Sequence, residues 1–350
     1  MKKWISLTLV ILLLFSLCGC RTGSGDITTA PQETADTAVD ATIGYSEEFP
    51  EELKAYTSPW NFDVVAKAKA EGKMHYYFMS GKGMIMNPNS DQPQKWGDST
   101  LIVFPDGQTM LVDSGVAAYA PLLVENLRRM GIMKLDYFLL SHPHSDHVNG
   151  AIADGGVFAE LEVGQVYYCD YINNSLTKEL LLVCKEKQVP AEALRKGDVK
   201  QFGEVTMEVL WPEKHAVAPD ELTTEDINNG SLVMRFDFKE HSSLFTGDLY
   251  VKGEADLLAD AAPGKLDADL LKVPHHSYTT SSSLEFVKAI SPELAVAMGS
   301  PKSRDQTQNI FESNNAEYCH DSKDQYVHVV TDGKTIEYDT AWTRAKDQRK

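Results

Sequence analysis

One six-residue segment constrains the fold of this 350-residue chain more than any other feature. It reads His142-Pro143-His144-Ser145-Asp146-His147 and follows an apolar run, residues 135–140, that is typical of a buried strand. In an extended segment residues two apart project to the same side, so His142 and His144 point together. Asp146 and His147 follow where the chain turns toward a helix. The spacing predicts a site for two metal ions side by side, and these ligands suit Zn²⁺, with Mn²⁺ or Fe as alternatives.

Two later segments supply the same kinds of ligand, and each also follows an apolar strand. Asp248 comes after the strand of residues 243–245 and would present a carboxylate at a loop mouth, where it could bridge both metals. His275 and His276 come after the strand of residues 270–273 and add imidazoles. Alone, each pattern is more typical of a turn. Three such clusters, each just past a strand, indicate one shared centre on loops at the strand ends.

Strand and helix patterns alternate from about residue 73. Paired strands occur early, at residues 100–104 and 109–112 around a turn, and late, as a hairpin over residues 326–339. Strand–helix units lie between them; residues 175–187, for example, have a helical pattern. This order predicts an α/β fold, a four-layer αβ/βα sandwich of two mixed β-sheets flanked by helices.

The N-terminus has the pattern of a targeting segment. A short positive region, an apolar run over residues 5–17 and Gly19-Cys20 predict a lipoprotein signal peptide over residues 1–19. Lipid on Cys20 would hold the mature chain at the extracellular face of the bacterial cytoplasmic membrane, although a plain signal peptide or an uncleaved anchor stays open. Residues 20–60 have the composition of a flexible tether, and the main folded domain is predicted over residues 73–340.

These segments resemble the metallo-β-lactamase-fold hydrolase superfamily, whose HxHxDH motif matches residues 142–147. The segment Leu111-Val112-Asp113-Ser114-Gly115 resembles the superfamily's early strand-end motif, in which Asp113 would brace the metal loop. Within the superfamily, the segments around residues 228–232, 246–248 and 272–277 resemble the hydrolase domain of competence-type DNA-uptake channels. They are also similar to the catalytic module of teichoic-acid phosphorylcholine esterase. The resemblance implies the metallo-β-lactamase fold.

The resemblance also implies two divalent cations, with zinc expected and manganese as the alternative. The implied ligands are His142, His144 and Asp248 for one metal, and Asp146, His147, His275 and Asp248 for the other. Asp146 would in addition orient the nucleophile, and His276 would donate a hydrogen bond to the substrate or to the leaving group. One departure is the missing third histidine that many members place on the first metal. Either Asn229 or a water would fill that position, or the first metal would bind loosely.

The expected function is metal-dependent hydrolysis of phosphodiesters on extracellular material, such as small molecules or decorations of envelope polymers. Ester or lactone hydrolysis on the same centre is the second enzymatic reading. A non-catalytic lipoprotein that binds metal or substrate is the alternative from another class. The formal net charge of −18 disfavours nucleic acid as a partner, although a metal centre could still bind a single phosphate.

Overall fold

The computed structural model describes residues 43–81, 95–213, 222–300 and 306–341 of the chain. The predicted signal peptide, Cys20 and the first part of the predicted tether lie outside these ranges, so lipidation and location stay predictions. In the described part of the chain, no helix has the length and hydropathy that crossing a bilayer requires.

The described strands and helices alternate much as the sequence pattern indicates. The strands are β1 (Met74–Phe78), β2 (Thr100–Val103), β3 (Thr109–Val112), β4 (Lys134–Leu139), β5 (Glu162–Cys169), β6 (Ala191–Leu194), β7 (Val199–Phe202), β8 (Val205–Trp211), β9 (Val233–Phe238), β10 (His241–Phe245), β11 (Leu270–Lys272), β12 (Leu294–Ala297), β13 (Glu317–His320), β14 (Val327–Thr331) and β15 (Ile336–Thr340). The helices are α1 (Val64–Glu71), α2 (Ala120–Arg129), α3 (Ser145–Ile152), α4 (Val157–Glu160), α5 (Ser175–Lys187), α6 (Thr224–Asn229), α7 (Val251–Asp260), α8 (Leu284–Ile290), α9 (Gln308–Glu312) and α10 (Asp321–Asp324).

Two mixed sheets organise these strands. The first has the order β15-β14-β1-β2-β3-β4-β5-β6 and the second the order β13-β12-β11-β10-β9-β8-β7. In the first sheet, β3 to β6 run parallel, while β1, β2 and β3 pair antiparallel. In the second, β10 to β13 run parallel and β7 to β10 antiparallel. The parallel halves bring the carboxyl ends of β3, β4, β10 and β11 into position to carry a site.

Three apolar cores separate four layers, which confirms the predicted αβ/βα sandwich. Strand β1 shows how alternation builds them, because Tyr76 and Phe78 join the core between the two sheets while Tyr77 joins the core beneath the helices of the first sheet. Helix α2 adds Leu122, Leu123 and Leu127 to that outer core. A third core lies between the second sheet and helices α7 and α8.

The segment before α1 packs on the domain rather than standing apart from it. Phe49 and Trp60 belong to the outer core of the first sheet, and Ser46 Oγ donates a hydrogen bond of 2.7 Å to the buried carboxylate of Glu125. The last part of the predicted tether, from residue 43, therefore contributes apolar burial to the fold.

Some elements carry little apolar pattern and were not predicted. Edge strands β6 and β7 keep several side chains exposed, so no buried face marks them in the sequence. Helix α6 does have a signal, a capping box in which Thr223 and Asp226 bond each other's backbone N–H groups. After this helix and the turn at Gly230, β9 begins at Val233.

Candidate metal centre

The candidate centre is assembled from four strand ends and one loop. Asp113 follows β3, the segment of residues 142–147 follows β4, Asp248 follows β10, and His276 follows β11. The loop before β2 adds Asp98, which is buried. Within this set the side chains of His142, Asp146, His147, Asp248 and His276 are all almost fully buried, whereas His144 is partly exposed.

The histidine-rich loop is held by backbone hydrogen bonds on both sides. Helix α3 begins at Ser145, so His144 stands in extended conformation at its N-terminus while Asp146 lies in its first turn. The Asp98 N–H donates to Asp146 O at 3.1 Å, and the Ser114 N–H donates to His147 O at 2.7 Å. These bonds orient the turn that presents Asp146 and His147.

Asp113 lies beneath the loop and contacts it directly. Its carboxylate accepts from the Ser141 N–H at 2.8 Å and from Ser141 Oγ at 2.7 Å, and it lies 2.8 Å from His147 Nδ1. The carboxylate therefore fixes one proton of the His147 imidazole on Nδ1 and leaves Nε2 as the nitrogen that can bind a cation. Among the described residues, that Nε2 atom has no hydrogen-bond partner; it is buried and lies 3.2 Å from Asp248 Oδ2.

His276 has the same arrangement from the opposite side of the centre. Its Nδ1 lies 3.0 Å from Asp98 Oδ1 and 3.0 Å from Met298 O, so the proton is again placed on Nδ1. Its Nε2 faces two carboxylates, at 3.0 Å from Asp146 Oδ2 and 3.3 Å from Asp248 Oδ2. This is the geometry of a metal ligand, whereas the sequence had suggested contact with substrate.

His275, the expected ligand, is directed elsewhere. Its Nδ1 pairs with Thr280 Oγ1, its ring lies 4.7 Å from that of Tyr250 and 5.1 Å from that of Tyr278, and it belongs to neither ligand group. The cause is local backbone geometry. His275 and His276 both have left-handed φ angles, 46° and 53°, so the segment leaves the extended pattern and the second imidazole turns inward. Such strain often marks functional sites.

The ligand atoms form two groups that share Asp248. In a tetrahedral site with bonds of about 2.0–2.2 Å, ligand atoms lie about 3.3 Å apart. In the first group, His142 Nε2 lies 3.0 Å from His144 Nδ1 and 3.8 Å from Asp248 Oδ2. In the second, the contacts of His147 and His276 with Asp248 Oδ2 are 3.2 and 3.3 Å. Both groups fit a divalent cation.

The fourth position of the second group has two neighbouring carboxylates, Asp98 and Asp146. Asp98 converges with His147, Asp248 and His276. Its oxygens, however, already contact the ammonium of Lys272 and the protonated side of His276. Asp146 Oδ2 instead lies 3.0 Å from His276 Nε2, on the side that faces the centre, which favours Asp146 as the ligand and Asp98 as a support behind the imidazole.

Burial and neighbouring charges have opposite effects on several pKa values in this centre. Burial lowers the pKa of His142 well below its usual range. Burial would also lower the pKa of His147, but the carboxylates of Asp248 and Asp113 outweigh it and raise that pKa to about 10. For Asp248 burial would raise the pKa, yet His276 and His147 hold it well below its usual range. Asp248 therefore stays ionised, and a cation must compete with protons for the imidazoles.

Asn229 does not reach the cluster. Its side-chain oxygen accepts a hydrogen bond of 3.0 Å from the Gly253 N–H, at the start of α7, and its backbone carbonyl accepts one of 2.7 Å from Trp211 Nε1. The nearby Ser231 Oγ accepts a 3.0 Å hydrogen bond from the Asp248 N–H. Ser231 thus supports Asp248, while the side-chain oxygen of Asn229 is directed to the backbone of α7.

Three charged residues of the centre were missed by sequence reasoning. Asp98 and Lys272 form a buried ion pair behind the ligands. Lys95 lies on the open side, with its ammonium 2.6 Å from Asp146 Oδ2 and a side chain that is 47% exposed. A lysine within the apolar run Leu270-Leu271-Lys272-Val273 was the available signal, because a buried charge needs a partner.

One family model matches the part of the chain that builds the centre. The model described as the Metallo-beta-lactamase superfamily matches residues 97–299, more than half of the chain. The match begins in the loop that carries Asp98 and ends after β12, so it includes every ligand segment described above.

Curated relatives and solved structures are similar over the same region. ComE operon protein 3 of Bacillus subtilis (strain 168) is 29% identical over 227 residues, 59% of this chain and 28% of that protein. Competence protein ComA of Neisseria gonorrhoeae is 31% identical over 204 residues, 57% of this chain and 25% of that protein. The chain thus spans about a quarter of the length of these relatives. The metallo-beta-lactamase fold protein YhfI from Bacillus subtilis has a TM-score of 0.45 at 16% identity, covering 76% of this chain and 99% of that one.

Proposed function

The chain belongs to the metallo-β-lactamase superfamily, and from this premise we propose that it is a phosphodiesterase that uses two divalent cations. The observation that carries the proposal is the position of Asp248 Oδ2. This atom lies 3.8 Å from His142 Nε2 on one side and within 3.3 Å of His147 Nε2 and His276 Nε2 on the other. One carboxylate oxygen shared by two ligand groups suits a pair of adjacent cations, whereas storage of a single cation needs no such bridge.

When bound, cations in such a centre lower the pKa of a water molecule and neutralise charge that develops on the phosphoryl oxygens. The chain's own residues would hold the cations and orient the imidazole ligands. Asp113 and Asp98 keep the protons of His147 and His276 on Nδ1, so each Nε2 stays available as a ligand. His276 therefore acts in this proposal as a ligand and not as the proton donor to a leaving group.

The class of substrate follows from charge. The ammonium of Lys95, half exposed beside Asp146, would donate to an anionic phosphoryl oxygen once a cation neutralises that carboxylate. The net charge of −18 works against long polyanions, so small diesters and phosphorylcholine- or glycerophosphate-type decorations of envelope polymers are preferred over duplex DNA. Because competence proteins are among the relatives, nucleic-acid ends are also a substrate to be tested. The N-terminal pattern favours action outside the cytoplasmic membrane, through a lipid on Cys20.

The test is hydrolysis of bis(p-nitrophenyl) phosphate by the full chain in detergent, loaded with Zn²⁺ or Mn²⁺. Metal-dependent turnover is expected, and Asp248→Asn should abolish it because the oxygen shared by both ligand groups loses its charge. Asp260→Asn is the matched control, since this carboxylate pairs with Lys196 and belongs to neither ligand group. Bound metal with turnover of p-nitrophenyl acetate or a lactone, but not of the diester, would replace the proposal with ester or lactone hydrolysis. Bound metal without any turnover would favour a binding lipoprotein.

A further inference from the structure

A buried ion pair lies behind the metal ligands and takes no part in the ligand groups as assigned above. Asp98, in the loop before β2, and Lys272, at the end of β11, are only 2% and 3% exposed. Their carboxylate and ammonium are in direct contact. Replacing a buried ion pair with uncharged groups is often neutral or stabilising, so such a pair is weak evidence for a role in stability.

Each member of the pair contacts a different candidate ligand. Asp98 Oδ1 lies 3.0 Å from His276 Nδ1, and this contact keeps the proton on Nδ1 and turns Nε2 toward the centre. Lys272 Nζ donates to Gly247 O at 3.0 Å and lies 3.8 Å from Asp248 Oδ1. The pair therefore touches both the imidazole and the carboxylate that close the second ligand group.

The two oxygens of Asp248 have different surroundings, and Lys272 accounts for the difference. Oδ1 is buried, has no hydrogen-bond partner in the described part of the chain and faces the ammonium, whereas Oδ2 faces the imidazoles. With the ammonium behind Oδ1, a single oxygen is presented to the cations. Without it, the carboxylate could rotate, and Asp98 would carry an uncompensated buried charge beside His276.

We propose that Asp98 and Lys272 are positioning residues that hold His276 and Asp248 in the orientation that binds cations. The inference rests on the proposed function only to the extent that the cluster binds divalent cations. It concerns affinity and ligand geometry and not the substrate. A pair that served stability alone would change the unfolding temperature and leave the affinity of the folded protein for cations unchanged.

The main test is the double variant Asp98→Asn/Lys272→Met in the full chain. It removes both charges together, so no buried charge is left without a partner. Zn²⁺ affinity is measured by competition with a chromophoric chelator, and ligand geometry by the visible spectrum of the Co²⁺-loaded protein. We expect affinity to fall about 10- to 100-fold, as for other groups that orient metal ligands, and the Co²⁺ spectrum to change. The matched control is Glu208→Gln/Lys265→Met, which removes an ion pair remote from the centre and should leave both readouts unchanged.

The single variant Asp98→Asn keeps the test decisive if the double variant does not fold. It is nearly isosteric, and a fall of about tenfold in Zn²⁺ affinity is expected because the neutral amide orients the imidazole less strongly. Wild-type affinity and an unchanged Co²⁺ spectrum in a folded variant would overturn the inference while leaving the proposed function intact. A wild-type chain that binds no Zn²⁺ would overturn both. Cation binding without diester turnover would count against the proposed function alone.

Discussion

Replacing the adjacent residues His275 and His276 one at a time is the sharpest test of which imidazole is a metal ligand. His276 Nε2 faces two carboxylate oxygens at 3.0 and 3.3 Å, whereas His275 pairs with Thr280 and packs between two tyrosine rings. We therefore expect His276→Ala to lose one of the two cations and His275→Ala to retain both. His276→Gln, which is closer to histidine in volume, separates loss of the ligand from loss of packing.

The expected loss of cation affinity at the second ligand group follows from the number of its ligands. Structural zinc sites bind with about 10–16 kcal/mol, and a share among four ligands gives about 2.5–4 kcal/mol for each. At 1.4 kcal/mol per factor of ten, loss of His276 should weaken the second cation about 100- to 1,000-fold. His275→Ala removes only the contact with Thr280 and the packing against tyrosines, so its affinity should change less than about threefold.

The assay is metal content after dialysis at a fixed free Zn²⁺ concentration, combined with chelator competition. Unfolding temperatures measured in excess chelator show whether each variant is folded. Loss of the second cation from a folded His275→Ala chain, with normal content in His276→Ala, would refute the assignment and restore His275 as the ligand.

Two further predictions concern substrate charge and stability. Lys95→Met should lower kcat/KM for bis(p-nitrophenyl) phosphate about tenfold, because a charge-assisted hydrogen bond is lost, and should leave a neutral ester unaffected; an equal fall for both substrates would contradict the assigned role. Burial lowers the pKa of His75 from 6.5 to about 4. The unfolded chain therefore takes up a proton below about pH 6.5 that the folded chain does not accept until about pH 4, so stability falls over this window, by about 3 kcal/mol. Among the described residues, the charged and titratable groups that face His75 are Glu71, Lys67, Lys73, Tyr77 and His328. The free energy of unfolding of His75→Asn, measured with urea in the presence of chelator, should lose this part of its pH dependence. An unchanged slope of that free energy against pH would show that His75 is not the source.

The motif segments show which features of the site can be predicted from a few consecutive residues. The two-residue spacing of His142 and His144 and the turn before Asp146 and His147 are properties of a few consecutive residues. They could be read without the fold because strand alternation and helix initiation depend on nearby residues. The same holds for Asp248 at a strand end, and for the alternation of strands and helices that predicted two sheets between helical layers, whereas Asp113 was indicated by the resemblance to the superfamily.

What only the tertiary structure decided is the direction of side chains and the meeting of distant ones. His275 and His276 are equivalent in the sequence, and three successive residues with left-handed φ angles, His275 to Ser277, determine which imidazole faces Asp248. Asp98 and Lys272 are far apart in the chain. The apolar run around Lys272 indicates that its charge needs a partner, but the identity of that partner follows from the packing of the loop before β2 against the end of β11. Backbone angles in an irregular loop and contacts between remote segments depend on the whole packed chain, because no local periodicity encodes them.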